Sequence, residues 1–389
     1  MKAQPAPLAA LRAPCYQPAM TATLPLFLAA PPGLEPLLAA EAAALGLPNP
    51  EAVPGGVQTQ GTWGDVARAN ILLRGAGRVL VRLGAFHAVH LAQLDKRARR
   101  LDWAAVLPRG QAVRVAATCE SSRIYHAGAA AERVGRALTE ATGATLAPDA
   151  PLRVLVRMVN DHCTISLDTS GEPLHRRGAK QAVGKAPLRE TLAALMLRAC
   201  GYAGGEPVLD PMCGSGTFVL EAAEIALGLP PGRGRGFAFE GLGLPGADAD
   251  TVAALKAAPP RATPFAFHGF DRDAGAVESG RANAARAGVD GICTFAVQPV
   301  GALARPDGPP GLVMVNPPYG ERIGDKDDLR ALYATLGRVL RERFAGWRVG
   351  LVTSEPALAH ATALPFLPPG PPVPHGKLRI RLYRTGALG

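Results

Sequence analysis

Residues 208–217, VLDPMCGSGT, run a short apolar strand into a loop with glycines at 214 and 216, and an apolar helical stretch continues to Leu227 with Gly228 as its C-cap. Strand, glycine loop and helix form the layout of a nucleotide site in a doubly wound α/β sheet, where the ligand lies across the carboxyl ends of adjacent strands. Gly214 and Gly216 let the backbone approach a ligand closely, and the helix start offers free N–H groups and a positive dipole end. The spacing is neither G-x-G-x-x-G nor a P-loop, since no Gly-Lys-Ser/Thr follows, so a pyrophosphate is not the expected ligand. By itself the loop also fits a plain strand-to-helix turn.

Two further strand ends point to the same place. The stretch 265–270 reads as a strand ending in Asp271, Arg272 and Asp273, with a helix over 274–288, and an acid at that position suits a ribose diol. The apolar run Leu312, Val313, Met314, Val315 reads as a buried strand and is followed by Asn316, Pro317, Pro318, Tyr319 and Gly320. An exocyclic base amine is a poor nucleophile because its lone pair is delocalised into the ring. A site that acts on it must accept hydrogen bonds from the N–H groups and hold the base by stacking. Asn316 Oδ1 and the Pro317 carbonyl are the expected acceptors, Tyr319 the stacking ring, and the prolines stiffen the turn. The tetrapeptide alone is also compatible with a strand-ending turn.

With these motifs the chain resembles the class I, S-adenosylmethionine-dependent RNA methyltransferases that carry a THUMP domain, in particular the bacterial N2-guanine methyltransferases of large-subunit (23S) rRNA. The resemblance runs from about Thr23 and is most specific at 168–178 (DTSGEPLHRRG), 186–194 (APLRETLAA), 210–217 (DPMCGSGT) and 316–322 (NPPYGER). It implies a C-terminal Rossmann-like methyltransferase domain, with a mostly parallel seven-stranded sheet, behind an α+β ferredoxin-like/THUMP RNA-binding module. The expected divisions are an extension over 1–22, a ferredoxin-like domain over 23–94, a THUMP domain over 95–170 and the methyltransferase domain over 171–389. The cofactor implied is S-adenosylmethionine, held by Asp210, Pro211, Cys213, Gly214, Gly216 and Thr217 around its methionine part and by Asp271 and Arg272 at its ribose. Asn316, Pro317, Pro318 and Tyr319 would hold the target base. After the strand 292–297 the family usually places an acid that accepts from the adenine amino group, whereas this chain reads Gln298, Pro299, Val300. Gln298 substitutes through its side-chain oxygen, or the contact is missing. Methyl transfer to a tRNA acceptor-stem guanine, to adenine N6, or a non-catalytic RNA-binding assembly role are the alternatives.

The formal net charge of +10 suits a polyanionic partner. Expected RNA contacts are Lys96, Arg97, Arg99 and Arg100 in the THUMP-like region and His175, Arg176, Arg177 and Lys180 in the basic linker that continues to Lys185. Arg233, Arg235, Phe237 and Phe239 lie in a Gly/Pro-rich insertion over 230–264; they could hold single-stranded RNA, or the two rings could anchor the loop on the core. The six cysteines include no C-x-x-C pair, which suggests neither zinc nor a disulfide framework and points to a reducing cytoplasm. Cys213 in the glycine loop reads as a loop-filling side chain rather than a nucleophile. No apolar stretch approaches the roughly 20 residues of a membrane span, and the first 22 residues, broken by prolines, read as a disordered extension or as residues upstream of a true start at Met20.

Overall fold

The computed structural model of the chain describes residues 23–178, 188–320 and 326–389. The expectations placed on 1–22, Lys180, Lys185, Ala186, Pro187, Glu321 and Arg322 lie outside the described residues.

The first half is built from β1 (Leu24–Ala29), α1 (Glu35–Ala44), β2 (Glu51–Val53), β3 (Gly56–Gly61), α2 (Trp63–Leu72), β4 (Arg78–His87), α3 (Leu91–Ala98), β5 (Ala112–Glu120), α4 (Ala127–Thr142), β6 (Thr145–Leu146), β7 (Arg153–Val159) and β8 (His162–Asp168). α2 starts at a reciprocal capping box formed by Thr62 and Asp65. All eight strands form one sheet in the order β2-β3-β1-β4-β8-β7-β5-β6. The antiparallel β4–β8 pairing, with one register shift between Arg82 and Gly84, carries that sheet across the boundary expected at residues 94 and 95. Alternation in β7 and β8 puts Val154, Val156, Met158, Cys163, Ile165 and Leu167 into one core with Val134 and Leu138 of α4.

The second half contains α5 (Glu190–Ala199), β9 (Val208–Asp210), α6 (Thr217–Leu227), α7 (Ala249–Lys256), β10 (Phe267–Asp271), α8 (Ala274–Ala287), β11 (Cys293–Val297), β12 (Leu312–Val315), α9 (Lys326–Arg343), β13 (Arg348–Thr353), α10 (Pro356–Ala361), β14 (Val373–His375) and β15 (Leu378–Arg384). Its seven-stranded sheet has the order β11-β10-β9-β12-β13-β15-β14. The first five run parallel and β15 is antiparallel to both its neighbours. Val208, Leu209 and Leu312–Val315 are fully buried, as strands covered on both faces require. From β9 the chain winds outward to β10 and β11, then returns to β12 on the other side of β9. Strand order therefore reverses between β9 and β12, and the crevice of such a sheet opens at their carboxyl ends. The Gly/Pro-rich stretch 230–264 is not a plain loop: Asp248 caps α7, and Phe237 and Phe239 are buried and stacked with centroids 5.6 Å apart.

A buried ionic cluster ties the two halves together. Arg74, between α2 and β4, and Arg177, in the linker, both reach Glu221 and Glu224 of α6, and Arg233 closes the cluster on Glu224. Glu41 of α1 accepts from the Arg74 and Gly75 amides at 2.7 and 2.9 Å. The run DTSGEP that opens the linker is a second tie: Asp168 is fully buried between Arg78 and Arg153, and Thr169 and Ser170 bond Asn70 of α2. The Arg235 guanidinium then donates to the carbonyls of Ser170, Glu172, Pro173 and Arg176.

Candidate active site

The ends of β10, β9 and β12 lie side by side, since Gly269 pairs with Asp210 and Leu209 with Val313; Asp271 and Asp210 are the last residues of their strands, and Asn316 comes directly after β12. Gly214 and Gly216 both adopt the left-handed region, φ +51° and +87°, which turns the chain sharply from β9 into α6. The loop is fixed from outside: the Cys213 amide donates to the Phe270 carbonyl at 2.8 Å, Gly214 N donates to Asp271 Oδ2 at 2.9 Å, and Asn283 Nδ2 of α8 donates to the Ser215 carbonyl at 3.0 Å. Asp271 therefore shapes the glycine loop as well as edging the cleft.

Asp210 is 2% exposed, and its carboxylate accepts from Met212 N at 3.0 Å. Burial pushes its acid well above the ordinary range; the Met212 amide opposes that, and the charge of Asp271 adds to it. Among the described residues neither carboxylate has an ion-pair partner. Two neighbouring acids without a protein cation suit a ligand that brings positive charge, and Gly214, with open space around its missing Cβ, leaves room for close approach. Gln298 follows β11; its backbone N–H donates to the Asp271 carbonyl at 2.8 Å and its side-chain amide to the Ala302 carbonyl at 2.7 Å, leaving its side-chain oxygen as acceptor. Pro211, Cys213 and Thr217 sit in or at the end of the same loop, and Arg272 projects into solvent. The Cys213 thiol is buried and its ionisation is pushed up by that burial and by Asp210 and Asp271, which rules it out as a ready nucleophile.

At the end of β12, Asn316 Oδ1 is buried and has no hydrogen-bond partner among the described residues. Such an orphan acceptor costs free energy on the order of 1–3 kcal/mol, so the position has a ligand-directed rationale. The turn is braced from behind: Tyr333 OH of α9 donates to the Pro318 carbonyl at 3.2 Å, and Gly320 N, at φ +80°, donates to Glu355 Oε1 at 2.8 Å. Tyr319 is half-buried between the two cores, with its hydroxyl pushed up to about 12 by burial, so it remains a neutral ring. Pro317 is buried and Pro318 half-buried.

The expected RNA contacts are scattered. Lys96, Arg97 and Arg100 are exposed on or just after α3, with Arg97 over the Phe86 ring. Arg99 is instead closed into ion pairs with Asp95 and Glu140, and Arg176 pairs with Glu172. Arg177 departs most from its expected surface role, because it is 9% exposed and committed to Glu221. His175 is half-buried, and burial, followed by the charge of Arg189, pulls its pKa down. Arg233 and Arg235 spend their donors on Glu224 and on linker carbonyls.

Sequence reasoning missed Glu355, Tyr333 and Phe295. Tyr333 lies four residues after Leu329 on the apolar stripe of α9, where it reads as core; Glu355 carries only the weak signal of an acid just past a strand end. Phe295 fills a slot between Gly216, Gly269 and Gly280, where an added Cβ would come within 2.9, 2.6 and 2.7 Å of its ring. Nothing local to any of the three glycines announces that slot.

Residues 177–364 match the family UPF0020 (RMKL-like, methyltransferase domain), and residues 25–80 match the RlmL ferredoxin-like domain. The chain is 33% identical over 359 residues to the ribosomal RNA large subunit methyltransferase K/L of Marinobacter nauticus, an alignment covering 87% of this chain and 49% of that protein. It thus spans about half the length of this curated relative. Among solved structures it superposes on SMU.472, a putative methyltransferase complexed with SAH, with a TM-score of 0.86 and 26% identity over 95% of this chain and 100% of that one. A predicted N6-adenine-specific DNA methylase from Listeria monocytogenes gives a TM-score of 0.84 and 29% identity over 94% and 97% of the two chains. A possible methylase from Clostridium difficile gives 0.85 and 28% over 95% and 99%.

Proposed function

The chain carries an RMKL-like methyltransferase domain behind an RlmL-like ferredoxin domain, and from that premise we propose that it transfers a methyl group from S-adenosylmethionine to the exocyclic N2 amine of a guanosine in 23S rRNA. The observation that carries this reading is the buried Asn316 Oδ1 just after β12, which has no hydrogen-bond partner among the described residues, beside two carboxylates without an ion pair among them. S-adenosylmethionine, when bound, supplies an electrophilic methyl on a sulfonium that departs as a neutral thioether. Asp210 and the Gly214–Gly216 turn would receive the cationic methionine portion, Asp271 the ribose, and Gln298, through its side-chain oxygen, the adenine amino group. Asn316 Oδ1 and the Pro317 carbonyl would accept hydrogen bonds from the two amine N–H groups, which turns the nitrogen lone pair toward the methyl, and the Tyr319 ring would hold the base by its face. The amine proton then leaves to solvent, so no side chain has to act as a strong base.

The curated relative's name supports an rRNA substrate, and the neighbour complexed with SAH supports the cofactor. Adenine N6 is the second reading, favoured by the name of the Listeria structure and by a motif that suits either amine; a tRNA guanine is a third target. We assign the ferredoxin-like domain to 23–94, the THUMP-like domain to 95–170 and the methyltransferase domain to 171–389, with the first two sharing a sheet. A cytoplasmic site of action follows from an RNA substrate; no described helix is long and apolar enough to cross a membrane. Nucleosides from separated 23S rRNA and tRNA of a strain lacking this gene test the proposal by mass spectrometry. Loss of one N2-methylguanosine equivalent from 23S rRNA is the expected result. Loss from tRNA alone moves the substrate, loss of N6-methyladenosine moves the target atom, and no change in any of them sinks the assignment.

A further inference from the structure

The helices of the first half pack on the side of its sheet that carries Val79, Val81, Val154 and Ile165, and the opposite side is only partly open, since Phe27, Leu80, Ser166 and Asp168 on it are buried. Register places Arg82 of β4, Ser166 and Thr164 of β8, Leu155 and Arg157 of β7 and Arg114 of β5 on that partly open face. Arg82 pairs with Ser166, Ser166 with Leu155, Thr164 with Arg157, and Arg114 with Arg153. The residues that alternate with them, Val154, Val156, Ile165 and Leu167, are those buried in the core. Arg157 is exposed and Arg82 and Arg114 are half-exposed.

The charges on this face are not balanced. Among the described residues Arg82, Arg114 and Arg157 have no ion-pair partner. Asp168 is spent on Arg78 and Arg153, and Glu51 and Glu120 stand at the two outer margins. Burial, followed by the nearby charge of Arg157, lowers the pKa of Arg82. The Nε atoms of Arg114 and Arg153 are buried without a hydrogen-bond partner. Like charges held side by side with open donors are costly in isolation and favourable against a polyanion. Phe27 on this side is 8% exposed and capped by the Arg82 guanidinium 4.1 Å from its centroid, and the exposed rings there are the paired imidazoles of His87 and His162 at the far end of β4 and β8.

We propose that the partly open face of the N-terminal sheet, through Arg82, Arg114 and Arg157, binds the phosphate backbone of the RNA substrate, and that this face, rather than the α3 cluster containing the neutralised Arg99, is the main RNA platform of the module. The inference rests on the RNA substrate proposed above. Guanidinium groups with small hydroxyl and alanine neighbours, and a buried Phe27 among them, read backbone rather than base: the platform positions the RNA, and the methyltransferase cleft selects the nucleotide.

The test is filter retention of transcribed 23S rRNA by the full chain, across about 0.05–0.3 M KCl, for wild type, Arg82→Gln, Arg157→Gln and the double variant. Each substitution is expected to weaken binding several-fold and to flatten the plot of log affinity against log salt by about 0.7–0.9. S-adenosylhomocysteine affinity, Tm and kcat should hold, while KM for RNA rises. Arg82→Lys should recover most of the binding, which separates lost charge from lost packing on Phe27, and Arg338→Ala, remote on α9, should change nothing. A double variant that binds with wild-type affinity and slope overturns the platform alone. A wild type that neither binds nor methylates any RNA fraction overturns the functional reading with it. Polyglutamate displacing the RNA at equal charge would instead make the face a site for an acidic protein segment and would also overturn the proposal.

Discussion

Two buried charged clusters lie along α6, and they are finished differently. Just before the helix, Asp210 and Asp271 have no cation to answer them among the described residues; one and two turns into it, Glu221 and Glu224 are closed by Arg74, Arg177 and Arg233. The closed cluster holds the N-terminal half, with its ferredoxin-like domain, against the C-terminal half. The open one keeps its electrostatic demand for a ligand. In this chain the state of pairing, more than burial or charge, separates architecture from chemistry.

Glu221→Ala attacks the closed cluster by leaving two buried guanidiniums under-compensated, and should lower unfolding free energy by about 3–5 kcal/mol in urea titrations. A loss below about 1 kcal/mol would mean that the cluster relaxes into water and that the contrast is false. On the open side, Asn316→Ala should cut kcat by about 10²–10³, by analogy with removing one preorganised polar group from a reacting centre, while calorimetric affinity for S-adenosylhomocysteine stays near wild type. A parallel fall in cofactor affinity would place Asn316 in the cofactor cradle instead. Gly280→Ala drives a methyl into the Phe295 ring and should cost about 1–3 kcal/mol, read as a lower Tm that added S-adenosylhomocysteine partly restores.

Asp210→Asn is the smallest and sharpest test, because its sign runs against intuition. The folded pKa of Asp210 is raised above the ordinary 3.8, so its contribution to stability is fully present below that value and is lost as pH rises through the folded pKa. At pH 7 the amide variant should therefore be more stable than the ligand-free wild type, on the order of 1 kcal/mol, while binding S-adenosylmethionine more weakly. Wild-type affinity for that cation should fall as pH drops through the same raised pKa. An unchanged or lower Tm in the Asp210→Asn variant would show that the wild-type carboxylate is already satisfied.

What the sequence disclosed was local. Strand, glycine loop and helix over 208–227, the acid at 271 and the turn at 316–320 are each contiguous, and a two-residue or 3.6-residue period is enough to set their places in the sheet. Cationic residues were legible as cations but not as contacts. Arg177 and Glu221 are 44 residues apart, and Arg74 and Glu221 are 147 apart, so nothing near Arg177 marks it as buried. The alternation R-V-L-V-R in β7 was visible as a strand, yet the charged face exists only once β4, β8 and β5 lie beside it. The Phe295 slot needs three glycines from three elements, a coincidence that only the assembled sheet and helices create.

The seam between β4 and β8 also has a consequence in time. β4 is complete at His87, but the strand that covers its edge begins at His162, about 75 residues later. At a synthesis rate of about 5–20 residues per second, the nascent chain carries a bare β edge on the ribosome for roughly 4–15 s. An uncovered edge templates pairing with any strand at hand, including one from a neighbouring nascent copy. Truncated products that stop before β8 should therefore be insoluble and chaperone-bound, and a translational pause between residues 87 and 162 would lengthen that window of risk.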